Sequence, residues 1–352
     1  MTTEIISVDP MHLEQSENEL KNAAEIIKSG GLVAIPTETV YGLGGDGTNP
    51  EASCKIYAAK GRPSDNPLII HIAHPEDAEK YTYTNDTYYK LAKHFMPGPL
   101  TVVMKAKDSV PLETRGGLDT VAVRCPSHPV ARRLIELSGR PIAAPSANLS
   151  GSPSPTSARH VIDDMQGRID MIIDGGGCEI GLESTIVKIE DDGSMTLLRP
   201  GRVTFSELAC IAPVSLADAV TDRLREGQVA LSPGMKYRHY APESPLVLLD
   251  GDLAMVTEYI LKENKNKIAI LCYTDDSEAV AEKFPYADIY MLGARDDIDE
   301  QARQLFAILR DADKHNYEMI YAPLPTKEGV GLALYNRMIR AAAHTVINLR
   351  QD

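Results

Sequence analysis

Apolar and polar positions along this chain keep two periods, and their alternation lays out the elements. Leu20, Ala23, Ala24 and Ile27 recur at helical spacing, so a helix is predicted from Asn18 to Ser29, stopped at Gly30. LVAIP at 32–36 is a short apolar run with the length of a buried strand. The stretch after it, TETVYGLGGDG, is too glycine-rich to continue as a regular element. Pro50, behind Thr48 or Asn49 as cap, opens a helix through about Ala59. KGRPSDNP ends that helix and leads into the strand LIIHI. A helix around Tyr88–Phe95 stops at Pro97-Gly98-Pro99, and the strand LTVVMK follows.

The same reading gives a strand at TVAVRCP, 120–126, a helix from Pro129 to Gly139, and the strand PIAAP. Thr156 or Ser157 caps a helix through Gln166. MIID, ESTIVKIE and MTLLRPG are further strands, so an α/β sheet with many loops on one rim is expected. Between about Pro213 and Pro245 the run SPGMKYRHYAPESP disfavours both helix and central strand. Beyond it the pattern is cleaner. Strands PLVLL, KIAILCY, ADIYML and YEMIYAPL alternate with helices to about Lys265, near 277–283, near 298–314 and near 332–343. Such alternation marks a small parallel α/β domain. The predicted layout is a domain over 1–212, a connection over 213–245 and a second domain over 246–352.

Bulk properties narrow the field. A formal net charge of −14 argues against a broad nucleic-acid or anionic-membrane surface, though it leaves room for a local cationic pocket. Five cysteines without a C-x-x-C pair suit a reducing cytoplasm better than a disulfide framework. MTTEIISVDP lacks the pattern of a signal peptide, and no apolar run is long enough to span a bilayer, so a soluble cytoplasmic protein is expected.

Candidate chemistry gathers in a few places. Ala143–Ser157, AAPSANLSGSPSPTS, combines small hydroxyl residues, an amide, glycines and prolines. Short side chains let a ligand approach the backbone while Ser and Asn offer donors and acceptors. Lys60 and Arg62, followed by Ser64 and Asn66, read equally as a solvated helix end or as a grip for phosphate or carboxylate. Arg124 on a buried strand needs an anionic partner, either an internal Asp or Glu or a ligand carboxylate, and Arg199 in LLRPG is similar. GLGGDG matches G-x-G-x-x-G in form, but PTETVY separates it from the preceding strand end, which argues against a dinucleotide site. His71 and His74 point to different faces of a strand end, and no third ligand has recognisable spacing, so no permanent metal is expected. The acidic run around Asp275–Glu300 reads as a solvated face.

Taken together, PTETVYGLG, KGRPSDNPLIIHI, the Pro-Gly-Pro-Leu-Thr stretch, TVAVRCP, APSANLSG with SPSPTS, ESTIV and LRPG, in this order, resemble the Sua5/YrdC threonylcarbamoyl-AMP synthases. SPGMKYRHYAP and the second α/β unit resemble the two-domain Sua5 form. The resemblance implies a twisted open mixed sheet with a concave cationic cavity, then a linker and a small Rossmann-like domain. It implies a nucleotidyltransferase that joins L-threonine, bicarbonate and ATP, with Mg²⁺ on the triphosphate, into L-threonylcarbamoyl-AMP and pyrophosphate. The product would pass to a tRNA threonylcarbamoyl transferase complex for the t6A modification of adenosine 37.

By the same resemblance the K-x-R…S-x-N signature falls on Lys60, Arg62, Ser146 and Asn148. Arg62, Asn66, Thr120, Ser146, Ser154 and Arg199 would contact ATP, with Tyr237 in the linker folding over the nucleotide. Thr39, His71, Arg124, Ala144 and Ser184 would hold threonine. Cations are needed because a carbamate and a triphosphate repel, and no carboxylate stands out as a general base. Catalysis by positioning and electrostatics is therefore expected, under a lid supplied by Lys236–Tyr240. The alternative is an RNA-binding module that uses the same cavity on tRNA or double-stranded RNA.

Overall fold

The computed structural model describes residues 2–220 and 240–350. The chain divides into two compact units, one built from residues 1–150 and 154–237, the other from 151–153 and 238–352.

The first unit is organised on a mixed sheet of eleven strands. In chain order these are β1 (Glu4–Ser7), β2 (Val33–Ile35), β3 (Gly42–Asp46), β4 (Ile69–His71), β5 (Leu100–Lys105), β6 (Thr120–Arg124), β7 (Ile142–Ala143), β8 (Met171–Asp174), β9 (Thr185–Ile189), β10 (Met195–Arg199) and β11 (Val214–Leu216). In space they run β1-β8-β2-β3-β7-β4-β6-β5-β9-β10-β11. Both faces are covered. Successive residues of β2 point to opposite sides, Val33 and Ile35 into a core with Leu20, Ile27, Leu134 and Met171, and Ala34 into a core with Ile56, Leu91 and Val161. Helices Glu17–Lys28 and Pro129–Ser138 supply the first core, and Pro50–Lys60, Asp86–Phe95 and Ala158–Met165 the second.

One expectation fails here. The glycine-rich GLGGD, read as irregular, is the strand β3, antiparallel to both β2 and β7. Its glycines answer to crowding. A Cβ on Gly44 would lie 2.8 Å from Ile142 Cγ2 and 3.0 Å from the Val33 carbonyl, and one on Gly45 would lie 3.1 Å from Leu32 Cδ2. Tertiary packing therefore overrides the low strand propensity of glycine. The edge strands β1 and β11 were not predicted either; both are short and mostly exposed.

Local signals hold at the helix that matters most. Asn49 caps it, its Oδ1 accepting from Glu51 N at 2.9 Å, with Pro50 in the first turn. Gly61 ends it in the left-handed conformation at φ 63°, so Lys60 and Arg62 flank a fixed turn.

The second unit carries five parallel strands, β12 (Leu246–Asp250), β13 (Ile268–Cys272), β14 (Asp288–Met291), β15 (Met319–Pro323) and β16 (Val346–Asn348), ordered β14-β13-β15-β12-β16. Helices Leu253–Glu263, Ser277–Lys283, Ile298–Ala312 and Gly331–Ala341 connect them, as the alternation predicts, and only β16 was unforeseen. The acidic run is largely solvated, with Asp276 paired to Arg295 at 2.6 Å.

Candidate active site

Strand pairing in the first unit aligns a row of polar side chains across the sheet. His71 on β4 is level with Arg124 on the parallel β6, and Thr101 on β5 lies opposite Arg124 on its other side. Ser184 immediately precedes β9, and its Oγ lies 2.8 Å from Thr101 Oγ1. Arg199, at the end of β10, donates from Nε to the Ser184 carbonyl at 3.0 Å and from Nη2 to Ser184 Oγ at 3.1 Å. All five residues are buried.

The partner of Arg124 is internal. Glu38, in the loop between β2 and β3, places Oε1 2.8 Å from Arg124 Nη2, with both side chains about 95% removed from solvent (5% and 4% exposed). Its backbone is pinned by Ile180 N donating to the Glu38 carbonyl at 2.9 Å. Burial raises the proton affinity of the Glu38 carboxyl, but the Arg124 guanidinium beside it more than offsets this, and the carboxyl stays below its ordinary range. His71 has the opposite fate: burial, assisted by the Arg124 charge, pushes it down to about 3, so the imidazole is neutral. Next to Glu38, Thr37 Oγ1 donates to the Val40 carbonyl at 2.6 Å, which leaves Thr39 Oγ1 as the donor in their 2.9 Å contact.

The small-residue loop extends the sheet. Ala144 N donates to the Ile69 carbonyl at 2.9 Å, Leu43 N to Pro145 O at 2.7 Å and Ala147 N to Tyr41 O at 2.8 Å. Ser146 bridges Gly42, where a Cβ would sit 3.1 Å from Ala144 Cβ. Lys60 is no solvated helix end. Only 3% exposed, it donates from Nζ to the carbonyls of Ser146 at 2.5 Å and Asn148 at 2.6 Å. Ser146 Oγ donates to Asn148 Oδ1 at 2.5 Å, so the K…S-x-N set forms one connected cluster.

Other expected residues are placed more loosely. Arg62 Nη2 donates to the carbonyls of Asn66 at 3.2 Å and Pro67 at 3.0 Å, and Asn66 is buried with its Oδ1 lacking a hydrogen bond. Ser154 Oγ donates to Glu183 Oε1 at 2.5 Å, both residues buried. Thr120 begins β6 while Arg124 ends it, four residues or about 13 Å along the strand, so it stands apart from the polar row. Tyr237, and with it Lys236–His239 of the expected lid, lies outside the described residues. Sequence reasoning passed over Glu38, Thr101 and Glu183. The signal for the first was available: a lone acid between Thr37 and Thr39 in an otherwise apolar and small stretch. Among the described residues no three His, Cys, Asp or Glu side chains gather as a metal-binding group, and no helix is long and apolar enough to cross a membrane.

The chain is similar to known proteins over nearly its whole length. Residues 25–201 match the family model Sua5_yciO_yrdC, described as telomere recombination, and residues 203–343 match the model for the C-terminal domain of threonylcarbamoyl-AMP synthase. The chain is 42% identical over 341 residues to the threonylcarbamoyl-AMP synthase of Pyrococcus abyssi, covering 95% of this chain and 96% of the relative. It is 41% identical over 338 residues to that of Bacillus subtilis, again covering 95% and 96%. The crystal structure of P. abyssi Sua5 complexed with L-threonine superposes with a TM-score of 0.87 at 40% identity, covering 98% of this chain and 99% of that one.

Proposed function

The chain belongs to the Sua5/YrdC family of threonylcarbamoyl-AMP synthases, in its two-domain form, and on that premise we propose that it joins L-threonine, bicarbonate and ATP into L-threonylcarbamoyl-AMP and pyrophosphate. In class terms it acts as a nucleotidyltransferase. The observation that supports the reading is the proximity along the sheet of two polar groups: the row His71, Arg124, Ser184 and Arg199, and the Lys60–Ser146–Asn148 cluster, whose loop is tied to β4 by the Ala144–Ile69 hydrogen bond.

Arg124, with Thr39, His71, Ser184 and the backbone at Ala144, receives threonine. A guanidinium fork on its carboxylate fixes the amino acid, and small Ala144 leaves room for it. Lys60, Arg62, Asn66, Ser146, Asn148, Ser154 and Arg199 receive the nucleotide, with Thr120 as an outlying contact; Tyr237, expected over the nucleotide, lies outside the described residues. Threonine's amine and bicarbonate form a carbamate, whose oxygen attacks the α-phosphorus as pyrophosphate leaves. The buried cations offset the repulsion between these anions, in a site where their hydrogen-bonding geometry is fixed beforehand. Mg²⁺ supplies charge neutralisation on the triphosphate. Bound to the triphosphate, it would be held mainly by phosphate and water oxygens.

The domain over 1–212 would perform the reaction, 213–245, largely outside the described residues, would connect it onward, and 246–352 follows as a second domain. The product passes to a tRNA threonylcarbamoyl transferase complex for t6A modification. Five unpaired cysteines suit a reducing cytoplasm. Pyrophosphate release from ATP tests the reading, with threonine and bicarbonate omitted in turn. Release should need both; equal release without threonine overturns it.

A further inference from the structure

The charges around Arg124 define what kind of ligand its site can take. Glu38 is faced by Arg124 and His71 at the ends of β6 and β4, by Cys125 and His128 just beyond β6, and by Cys178 from the turn after β8. Burial pushes His71 down to about 3 and lowers His128, while it pushes the Cys125 thiol up to about 12 and raises that of Cys178. At neutral pH those four groups are uncharged. Among the described residues the buried charges at this point are therefore Arg124 and Glu38, paired at 2.8 Å, with the Arg199 guanidinium further along the same row on Ser184.

A ligand carboxylate arriving at Arg124 upsets that balance. It would share the Arg124 guanidinium with Glu38 and set two carboxylates against that one group in a buried site, which is unfavourable. Balance returns if the ligand brings a positive charge adjacent to its carboxylate. An α-amino acid zwitterion does so: its ammonium sits one carbon from the carboxylate. Glu38 has acceptor capacity to spare: the backbone N–H groups of Glu38 and Ser127 approach it without good hydrogen-bond geometry, and beyond the Arg124 ion pair its two buried oxygens have no other partner among the described residues.

We infer that Glu38 is a further substrate-binding and catalytic residue: it receives the α-ammonium of the amino acid whose carboxylate engages Arg124, and it accepts the ammonium proton. This rests on the placement of threonine at Arg124. In the proton step one N–H bond breaks, the electron pair remains on nitrogen, and the proton passes to a Glu38 oxygen. The freed amine and bicarbonate then give the carbamate and one water. Substrate entry itself favours the step. Arg124, helped by the backbone N–H groups of Glu38 and Ser127, holds the Glu38 carboxyl below its ordinary range, and a second carboxylate drawing on the same guanidinium weakens that hold. Without ligand, Glu38 keeps Arg124 paired; with ligand, it selects for an amine.

Calorimetric binding to the full-length protein tests this with two ligands and three variants. The wild type should bind L-threonine at least about 30-fold more tightly than 2,3-dihydroxybutanoate, which keeps the carboxylate and side-chain hydroxyl but replaces the ammonium by a hydroxyl. Glu38→Gln should lose about 30-fold or more in threonine affinity, bind dihydroxybutanoate as well as or better than the wild type, and retain ATP affinity. Glu38→Asp should recover part of the threonine affinity. A folded Glu38→Gln protein that binds threonine within about threefold of wild type overturns the inference. If that variant does not fold, the wild-type pair decides: equal affinity for the two ligands overturns it, and the stated preference supports it. Arg124→Ala separates the premise. Undiminished threonine affinity there refutes the placement of threonine, whatever Glu38 does.

Discussion

Acid should expose the cost of keeping His71 neutral. The imidazole is fully enclosed, and burial together with Arg124 moves its pKa from 6.5 to about 3. The unfolded chain therefore binds a proton through this window that the folded chain refuses, and stability falls as pH drops. The contribution is intact well above pH 6.5, declines by about 1.4 kcal/mol per unit below it, and levels off near pH 3. By pH 4 the loss from this one group is about 3 kcal/mol, a large part of the ~5–15 kcal/mol that holds a typical domain. Acidification also protonates carboxylates such as Glu38, so the wild type alone cannot isolate the effect. His71→Gln removes the titration while keeping a polar side chain of similar reach. Urea unfolding of both proteins at pH 7.5, 6, 5 and 4, followed by circular dichroism, should show their stability difference shifting by about 3 kcal/mol toward the variant across the series. A constant difference would mean that His71 is protonated in the folded protein, and the neutral imidazole assigned to the site would be wrong.

Two further outcomes concern the framework of the site. Lys60→Met removes two short charge-assisted hydrogen bonds and leaves the carbonyls of Ser146 and Asn148 without that donor, so it should destabilise by about 3 kcal/mol and slow pyrophosphate release. Slower release at unchanged denaturant midpoint would show that the lysine does not clamp the loop. Gly44→Ala places a methyl 2.8 Å from Ile142 Cγ2 and 3.0 Å from the Val33 carbonyl, and should cost about 1–3 kcal/mol in urea unfolding. A change below about 0.5 kcal/mol would refute the crowding argument for β3.

Much of this architecture was legible because local and tertiary demands coincide. Asn49-Pro50 before an apolar run and Gly61 behind it specify the helix that carries Lys60, and the alternation after Pro245 specifies the parallel domain. β3 was illegible for a definite reason: its glycines are selected by side chains from β2 and β7 and by Leu32, and nothing in GLGGD itself reports such neighbours. Arg124 shows the same limit at the site. Its strand position demanded an anion, but choosing between an internal acid and a ligand needed the loop path that brings Glu38 to it from 86 positions earlier. Lys60 had two local readings, solvated terminus or anion grip. The structure gives a third, a cation enclosed by loop carbonyls, which depends on a segment some 86 residues away.

The eleven-stranded sheet also has a seam. β2 and β3 pair with each other, as do β4, β6 and β5, and among the described residues the strand that joins the two blocks in the sheet is the two-residue β7. Residues 1–141 therefore contain the strands of both blocks but not the strand that joins them. When β7 slots between β3 and β4, the loop that follows it is drawn along Gly42 and onto Lys60 in the same motion. Joining the two blocks and laying the small-residue loop along the site thus depend on the same two residues, and a chain that ends before residue 142 lacks both the link and the Ser146–Asn148 side of the site.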